Sequence, residues 1–412
     1  MNVIFLTMPR FSDITVRGIY QDLIRKLRDE GHDVCVVTSH QRSLGLPTEL
    51  IQKDGIRILG VKTLNLQKTN IIEKGIGQVL LECQFKKAIK KHLNGTYFDL
   101  ILYTTPPITF TNVVKFLKKI NPNAISYLLL KDIFPQNAVD IGMMSTTGLR
   151  GVLYKYFRKK EKKLYGISDY IGCMSQANVN YVLANNPEVS PNKVELAPNS
   201  IELLPESSVY VDQKKQHAKK DDMRLKYCLP PDKPIFVYGG NLGRPQGIPF
   251  LIDCLNENAE REDCFFLIIG SGTELPRLKQ WYAEKHPKNL KVMDGLPTAE
   301  YDELVRTCDV GMIFLDHRFT IPNFPSRLLS YLENKIPVLC ATDPNTDIGR
   351  IAEDNGFGFW CESNSVEAFT AILDRIIHSD RLKMGEKGYD FLKYNYTVDN
   401  TYHTIIRHFE VD

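Results

Sequence analysis

Strand-length apolar runs alternate with helical patterns along the chain, and this alternation constrains the fold more than any other feature. In the helical segments, such as GIYQDLIRKLRDEGH at residues 18–32, apolar residues recur every three or four positions. Parallel strands need crossover connections, which are usually helices, so the pattern predicts parallel sheets with helices on both faces. The runs are NVIFLT, DVCVVTS, DLILYTT, AISYLLL and YIGCMS, followed by PIFVYGGN, CFFLIIGSG, LKVMDGL, DVGMIFLD and IPVLCAT.

The alternation stops once, in a polar and charged segment that ends with Pro230-Pro231. Since 412 residues exceed the usual size of one core, this segment is predicted to link two domains. The predicted architecture is α/β, with two Rossmann-like doubly wound domains facing a central cleft. The predicted parts are an N-terminal domain over residues 1–200, a linker over 201–233, a C-terminal domain over 234–385 and an amphipathic helix over 386–412.

Composition narrows the class of protein. Hydrophobic residues make up 43% and charged residues 25% of the chain, as in ordinary soluble proteins. The nine cysteines form no CxxC pair, which favours buried thiols in a reducing compartment over disulfides or zinc ligands. The start MNVIFLTMPRF has no basic leader, and no apolar run reaches 18 residues. We therefore expect a cytoplasmic protein that has no nucleic-acid partner.

One segment departs from the even charge distribution. The net charge is only +3, yet RGVLYKYFRKKEKK at residues 150–163 carries seven basic residues against one glutamate, a net +6, so the rest of the chain carries −3. Aromatic and aliphatic residues interleave with this charge. Such a helix either docks on the inner face of an anionic membrane or is solvated, with its aromatic residues packed on its own domain.

Two glycine-rich strand-to-helix turns in the second half suit an anionic ligand. VYGGNLGRPQG contains Gly240, and its Arg244 offers a bidentate cation for phosphate. IIGSGTELPRL repeats the glycine pattern with Gly270 and Gly272. Taken singly, each turn is equally consistent with tight packing, because glycine is common in turns of every kind.

A third turn lies in IPNFPSRLLSYLENKIPVLC, residues 321–340. Pro325 is predicted to start a helix, with Ser326 in its first turn and Arg327 directed back towards the ligand. Three such turns together predict a phosphate-bearing ligand. The patterns GxxxxGK[ST], HExxH and GxSxG are absent, GxGxxG is absent from the first strand-to-turn junction, and the histidines lack metal-ligand spacing. A P-loop ATPase, a simple dehydrogenase and a metallohydrolase therefore lose support.

The ordered set of motifs resembles a family. The chain is similar to GT-B-fold glycosyltransferases of family 4 (group 1), and closest to members that build bacterial capsule and O-antigen units. The motifs that carry the resemblance are RDEGHDVCVVTS, KDIFPQNAVDIGM, SDYIGCMSQANVNYV and KVELAPNSIE in the first half, and GGNLGRPQG, IIGSGTELPRL, DGLPTAEYDELVRTCDVGM and PSRLLSYLENKIPVL in the second.

The resemblance implies transfer of a hexose from a nucleoside diphosphate sugar with retention of configuration and without a metal cofactor. The donor would bind the second domain. The acceptor, a saccharide on a polyprenyl diphosphate carrier, would bind the first. The resemblance also implies that the last helix crosses back to the first domain and acts as a hinge, and that Gly18 lies in the acceptor-side loop.

The chain departs from the family pattern in its second half. Two glutamates of the family, eight residues apart, align with Pro322 and Ser330, and Ser330 retains only a hydroxyl for the ribose. The family's phosphate-binding Arg and Lys align with Asn241 and Gln246. We expect Arg244 and Arg327 to replace that charge, with Ser326 and Arg327 forming a phosphate clamp at the start of the helix.

In the first half, Lys131-Asp132 occupies the place of the family's His-Asp pair. Lys131 is predicted to neutralise phosphate. Asp132 either orients the acceptor and accepts its proton or is a structural N-cap. Two other functions remain open: a nucleotide-sugar epimerase that uses Asp316 and His317, and an inactive scaffold in a polysaccharide-assembly complex, which the neutral substitutions would explain.

Overall fold

A computed structural model describes residues 1–66, 71–204 and 213–410, without the side chains of residues 71–76, 78, 149, 150 and 213–219. The chain divides into two compact units. The first contains Met1–Glu202 and Val398–Asp412, and the second contains Leu203–Thr397. Each unit is built on one mainly parallel sheet, which confirms the predicted α/β class.

The sheet of the first unit has eight strands in the order β3-β4-β2-β1-β5-β6-β7-β8, and every neighbouring pair is parallel except β3 and β4. The five strands that were predicted in this half are present, and β3, β4 and β8 were not predicted. The strands are β1 (Asn2–Leu6), β2 (Asp33–Gln41), β3 (Glu49–Lys53), β4 (Ile56–Thr63), β5 (Leu100–Thr104), β6 (Ile125–Leu130), β7 (Tyr170–Cys173) and β8 (Val194–Leu196).

Strands β3 and β4 form an antiparallel hairpin at the edge of this sheet. Lys53 pairs with Ile56, so only Asp54 and Gly55 form the loop. Both loop residues have positive φ, 50° and 81°. Asp-Gly is the residue pair that a two-residue hairpin turn favours, because its backbone twist matches that of the strands.

Helices cover the sheet of the first unit. The last of them follows the second unit in sequence, and its residues Val398, Tyr402 and Ile405 pack in the core with strand residues such as Phe5 and Leu102. The helices are α1 (Ile19–Asp29), α2 (Ile71–His92), α3 (Thr111–Ile120), α4 (Gln136–Asp140), α5 (Gly148–Ile167), α6 (Gln176–Asn185) and, at the C-terminal end, α15 (Val398–Ile406).

The sheet of the second unit has six parallel strands in the order β11-β10-β9-β12-β13-β14. Its first five strands in sequence were predicted, and β14 was not. Their buried residues, Phe236, Phe266 and Phe314 among them, form the core with the covering helices. The strands are β9 (Ile235–Asn241), β10 (Phe265–Ser271), β11 (Leu290–Asp294), β12 (Val310–Phe314), β13 (Val338–Thr342) and β14 (Gly358–Glu362).

Eight helices belong to the second unit, counted over the described part of the chain. Two of them are only seven residues long, which limits the contribution of their dipoles to a bound anion. The helices are α7 (Gln213–Lys226), α8 (Ile248–Glu257), α9 (Leu275–Lys285), α10 (Thr298–Val305), α11 (Arg327–Glu333), α12 (Ile348–Asp354), α13 (Val366–Ile377) and α14 (Arg381–Asn395).

The structure differs from the predicted boundaries at two places. Part of the predicted linker, 201–233, is helix α7, and residues 205–212 of it lie outside the described residues. Arg224 on α7 is buried and donates to the carbonyl oxygens of Thr307, Pro230, Pro231 and Lys233, so a charged residue typical of a linker belongs to the packed unit. The predicted helix over 386–412 is two helices, α14 in the second unit and α15 in the first.

Candidate functional site

The candidate donor site lies at the carboxyl ends of β9 and β12. These neighbouring strands pair at two positions, Phe236 with Val310 and Val237 with Gly311. They stand where the strand order of the sheet reverses, and open α/β sheets bind ligands in the crevice at that point. The hydroxyl of Tyr331 bridges the strands, donating to Val237 O at 3.1 Å and lying 3.4 Å from Met312 O.

Arg327, the first residue of α11, lies at this crevice. Its Cζ atom is 4.2 Å from the centroid of the Tyr238 ring, a cation–π contact. Its Nη1 atom is buried and has no hydrogen-bond partner, and within the described ranges its guanidinium forms no ion pair. Arginine is always protonated, and burying an unpaired charged group is costly. The site is therefore electrostatically prepared for an anion.

The turn after β9 passes next to Arg327. Gly240 has a φ of 119°, which a side chain would strain, and a Cβ atom there would stand 3.6 Å from Arg327 Nη2. Beyond it, Asn241 Nδ2 donates to Gln246 Oε1 at 2.8 Å, and Gly243 N donates to the same oxygen at 3.2 Å. Asn241 and Gln246 thus close the turn on itself.

Gly270 and Gly272, which were predicted to form a second anion turn, are packed closely against the turn after β9. A Cβ atom on Gly270 would collide with Gly240 O, and one on Gly272 would collide with the backbone of Leu242. Leu242 N also donates to Ser271 O at 2.9 Å. These two glycines therefore allow the turn after β9 to cross closely over the end of β10, which is a packing requirement.

The residues of the predicted clamp lie together at the start of α11, and only one of them is charged. Ser326 is the N-cap residue, but its side chain is exposed and makes no capping hydrogen bond. The helix has seven residues, too few for a strong dipole. Ser330 is partly buried one turn after Arg327, and its carbonyl accepts from Asn334. Arg327 alone among these residues carries charge.

Arg244 lies on the turn before α8 and is 58% exposed. Its Nε atom is 3.9 Å from Glu274 Oε1, a distance at which an ion pair in water is weak. The side chain is therefore free to reorient towards a ligand at small cost.

The candidate acceptor site is at the carboxyl end of β6 in the first unit. The backbone N–H groups of Lys131 and Asp132 lie 3.0 and 3.3 Å from Thr105 Oγ1, which follows β5. Lys131 Nζ donates to Ala197 O at 3.1 Å. Asn137 Nδ2 donates to Asp132 Oδ1 at 2.6 Å. Asp132 is not an N-cap, since Pro135 holds that position on α4.

Burial perturbs both ionisable groups of this pair. It lowers the pKa of Lys131 to about 7. It raises the pKa of Asp132 to about 6, although hydrogen bonds from Asn137 and the Ile133 backbone act against it. Pairs of shifted groups of this kind are typical of functional sites, because a base works best with a pKa near the working pH. In the same unit, Gly18 caps α1, and its N–H donates to Asp22 Oδ1 at 3.1 Å.

Asp316 and His317 are the residues that an epimerase would use. Asp316 is hydrogen-bonded to an arginine, and His317 is exposed. Asp316 accepts from Arg318 Nε at 2.9 Å and Nη2 at 2.8 Å. Burial acts to raise the pKa of Asp316, but these hydrogen bonds bring it below its usual value. His317 is 53% exposed, with Nδ1 3.9 Å from Asp316 Oδ1. The carboxylate is therefore held ionised by an arginine, which is unsuitable for an acid.

Sequence reasoning missed the residues that shape the two sites. Tyr238 supports the Arg327 guanidinium, and Thr105 and Asn137 hold the Lys131-Asp132 segment. An aromatic residue directly before Gly-Gly was the available signal for Tyr238. No described group of three or more His, Cys, Asp or Glu side chains could hold a metal ion. Among the described helices, none is long and apolar enough to cross a membrane.

A known protein family matches part of the chain. Residues 219–391 match the family model of glycosyl transferases group 1. The match covers 173 of the 412 residues, so the second unit carries a group 1 glycosyl transferase domain. The matched residues fall in the second unit and include Gly240, Arg244 and Arg327. The Lys131-Asp132 segment lies outside the matched range.

Two curated relatives are named as glycosyltransferases, and one of them is named for colanic acid biosynthesis. The chain is 22% identical to the probable glycosyltransferase WbjE of Pseudomonas aeruginosa, over 80% of this chain and 78% of that protein. It is 27% identical to the putative colanic acid biosynthesis glycosyl transferase WcaI of Escherichia coli K12, over 37% of this chain and 38% of that protein.

The fold of the chain is that of solved GT-B enzymes. The structure of HepE from Anabaena in complex with UDP and glucose superposes with a TM-score of 0.68, covering 99% of both chains at 13% identity. At this identity the comparison establishes the fold alone. The expected GT-B fold is thus confirmed. The expected glycosyltransferase activity is supported by the family match and by the curated relatives.

Proposed function

We propose that this protein transfers a hexose from a nucleoside diphosphate sugar to a saccharide carried on a polyprenyl diphosphate, with retention of anomeric configuration, during capsule or O-antigen synthesis. The observation that carries the proposal is Arg327. Its buried, unpaired Nη1 atom stands at the crevice where a doubly wound sheet binds its ligand. A diphosphate supplies the anion that this guanidinium lacks.

In the proposed reaction, the acceptor hydroxyl oxygen bonds to the anomeric carbon while the bond from that carbon to the diphosphate oxygen breaks. The bonding electrons stay on the diphosphate, which also takes the hydroxyl proton. Arg327 stabilises the charge that grows on the leaving group, and exposed Arg244 adds a second cation by reorienting. Asp132 orients the acceptor hydroxyl from the first unit. Retention rests on the family resemblance, and NMR of the anomeric proton of the product tests it.

No metal cofactor is proposed, because arginines supply the charge that a divalent cation would otherwise provide. Activity should therefore persist in excess EDTA. Loss of activity in EDTA that returns with a divalent cation would contradict this part of the proposal.

The decisive experiment is calorimetry with a panel of nucleoside diphosphates and their sugars. UDP comes first, because HepE was solved with UDP and glucose. We expect one nucleoside diphosphate to bind the native protein. The affinity of the Arg327→Met variant for the same diphosphate should be much lower. Failure of the native protein to bind any of them would overturn the donor site and favour the scaffold alternative.

We also propose that α5 docks on an anionic membrane, where a polyprenyl-linked acceptor resides. Val152, Tyr156, Lys159 and Lys163 are spaced by three or four residues and share one helix face, and all four are exposed. Val152 is 66% and Tyr156 42% exposed. The lysines at 155, 159 and 163 pair with no carboxylate in the described part of the chain. Exposed apolar and basic groups on one face are typical of interfacial helices.

Other aromatic residues of α5 pack on their own unit, as the alternative interpretation of this helix predicted. These contacts connect the helix to the candidate acceptor site. Phe157 is buried and stacks edge-to-face on Phe134 at 5.1 Å. Tyr154 Oη donates to Gln136 Oε1 at 3.1 Å. Both partners belong to the segment that begins with Asp132. A membrane bound to α5 would therefore lie close to the residues proposed to hold the acceptor.

Sedimentation with lipid vesicles tests the docking proposal. The native protein should bind phosphatidylglycerol vesicles more strongly than phosphatidylcholine vesicles, and salt should weaken the binding. Lys159→Glu/Lys163→Glu should lower the affinity at least about 10-fold. The control Lys87→Glu/Lys91→Glu changes two exposed lysines with the same spacing on α2. Equal losses in both variants, or no binding by the native protein, would exclude α5 as the docking surface.

A further inference from the structure

The loop between β12 and α11 delivers Arg327 to the donor site. It begins against the turn after β9, where Asp316 N donates to Pro245 O at 3.0 Å. It ends at Ser326, directly before Arg327. The position of the guanidinium therefore depends on how the intervening residues are held.

A second turn, directly after β13, holds this loop at two points. Thr346 Oγ1 accepts from Asn323 N at 3.0 Å. Asn345 Nδ2 donates to Phe319 O at 2.7 Å. The two bonds fix the loop at positions four and eight residues before Arg327. Residues 343–346 are called the anchor turn below.

One carboxylate organises the anchor turn. Asp343 is fully buried. Its Oδ1 atom accepts from Asn345 N at 3.0 Å and from Thr346 N at 2.9 Å. Its Oδ2 atom accepts from Thr346 Oγ1 at 2.9 Å. The same side chain therefore orients both residues that contact the loop.

The hydroxyl of Thr346 both donates and accepts a hydrogen bond. It donates its hydrogen to Asp343 Oδ2, which leaves its lone pairs to accept from Asn323 N. An amide at position 343 would present an NH₂ donor to this hydroxyl and compete with Asn323 for the lone pairs. Within the described ranges Asp343 has no basic partner, and burial raises its pKa to about 6. A buried carboxylate without a cation is costly, and its hydrogen bonds to the anchor turn offset that cost.

We infer that Asp343 is a positioning residue for the donor site, which sets the loop that presents Arg327 by fixing Asn345 and Thr346. The inference rests on the proposed role of Arg327 in diphosphate binding. A displacement of about 1 Å at a charged contact is enough to weaken it strongly. Loss of the anchor turn should therefore reduce donor binding while Arg327 itself is unchanged.

The test is a double-mutant cycle that measures affinity for the nucleoside diphosphate that the native protein binds, together with KM and kcat. Asp343→Asn and Thr346→Val should each lower the affinity about 5- to 10-fold, as expected for one lost hydrogen bond. Thr346→Ser, which retains the hydroxyl, should restore it. In the Arg327→Met background the same substitutions should have almost no further effect, because contacts that act through one residue are not additive.

A control separates positioning from general damage. Thr307→Val removes another buried hydroxyl of the same unit, which donates to Leu304 O at 2.8 Å, and should leave the affinity unchanged. Hydrogen exchange of residues 317–326 should accelerate in Asp343→Asn and not in Thr307→Val. Native-like binding by Asp343→Asn, or independent effects in the cycle, would overturn the inference alone. Absence of binding by the native protein would overturn the donor site and the inference together.

Discussion

Replacing Arg327 by methionine should change ligand binding and stability in opposite directions. Methionine preserves much of the apolar length that packs on Tyr238 and removes the charge. Charge-assisted hydrogen bonds contribute about 2–3 kcal/mol, so the affinity for the diphosphate should fall roughly 30- to 150-fold. The free protein loses a charge that pairs with no carboxylate in the described structure and whose Nη1 atom is buried without a hydrogen bond, which removes a desolvation cost.

The size of the stability gain follows from two opposing terms. Desolvation of the partly buried guanidinium costs a few kcal/mol, and the cation–π contact at 4.2 Å returns about 1–2 kcal/mol. The net gain on substitution should be about 1 kcal/mol, which raises the Tm by roughly 2–4 °C in a unit of this size. Differential scanning calorimetry measures the Tm, and titration calorimetry measures the affinity.

Arg375→Met is the matched control. Arg375 Cζ lies 4.1 Å from the centroid of Phe359, but the side chain is 58% exposed and its Nη1 atom is 3.9 Å from Glu353. Its loss should leave the affinity unchanged and lower the stability slightly, within the range of surface substitutions. A lower Tm for Arg327→Met together with undiminished binding would refute the reasoning, since Arg327 would then be a structural residue.

Two further predictions concern the acceptor segment and the glycine turn. Because the pKa of Asp132 is raised to about 6, kcat should fall as the pH drops below 6 and the carboxylate gains a proton. In Asp132→Asn, kcat should be roughly 100-fold lower and lose this dependence, and an unaltered pH profile would contradict the assignment. Gly240→Ala should destabilise the protein by about 1–2 kcal/mol, because φ is 119° there. Denaturant unfolding measures this, and an unchanged midpoint would show that the turn relaxes.

The strands that the sequence predicted were those whose buried residues form continuous apolar runs. The hairpin strands β3 and β4 were missed because polar and charged residues interrupt the apolar ones through ELIQKDGIRILGVKT, although Asp54-Gly55 marked the turn. The short strand β8 was missed because its three residues carry too little periodicity to detect. Helix α7 was assigned to a linker because charged residues dominate it, and only the fold shows that Arg224 is buried.

The sequence nominated candidate site residues but could not give their arrangement. The sequence indicated Arg327 as a cation and Lys131-Asp132 as a functional pair. It could not indicate that Gly270 leaves room for the carbonyl oxygen of Gly240, because β9 and β10 become neighbours only in the folded sheet. Nor could it place Tyr238 under Arg327, since a long-range aromatic contact has no local pattern.

The return of the chain to the first unit has a consequence for its architecture. Val398 N donates to Ile201 O at 2.9 Å, so the chain leaves and re-enters the first unit at adjacent points. In topological terms, the second unit is an insertion into the first. A fragment that ends at Glu202 would expose the core surface that α15 covers, whereas residues 1–201 joined directly to 398–412 would retain a complete core. The second unit is thus separable by excision, and the first unit is not separable by truncation.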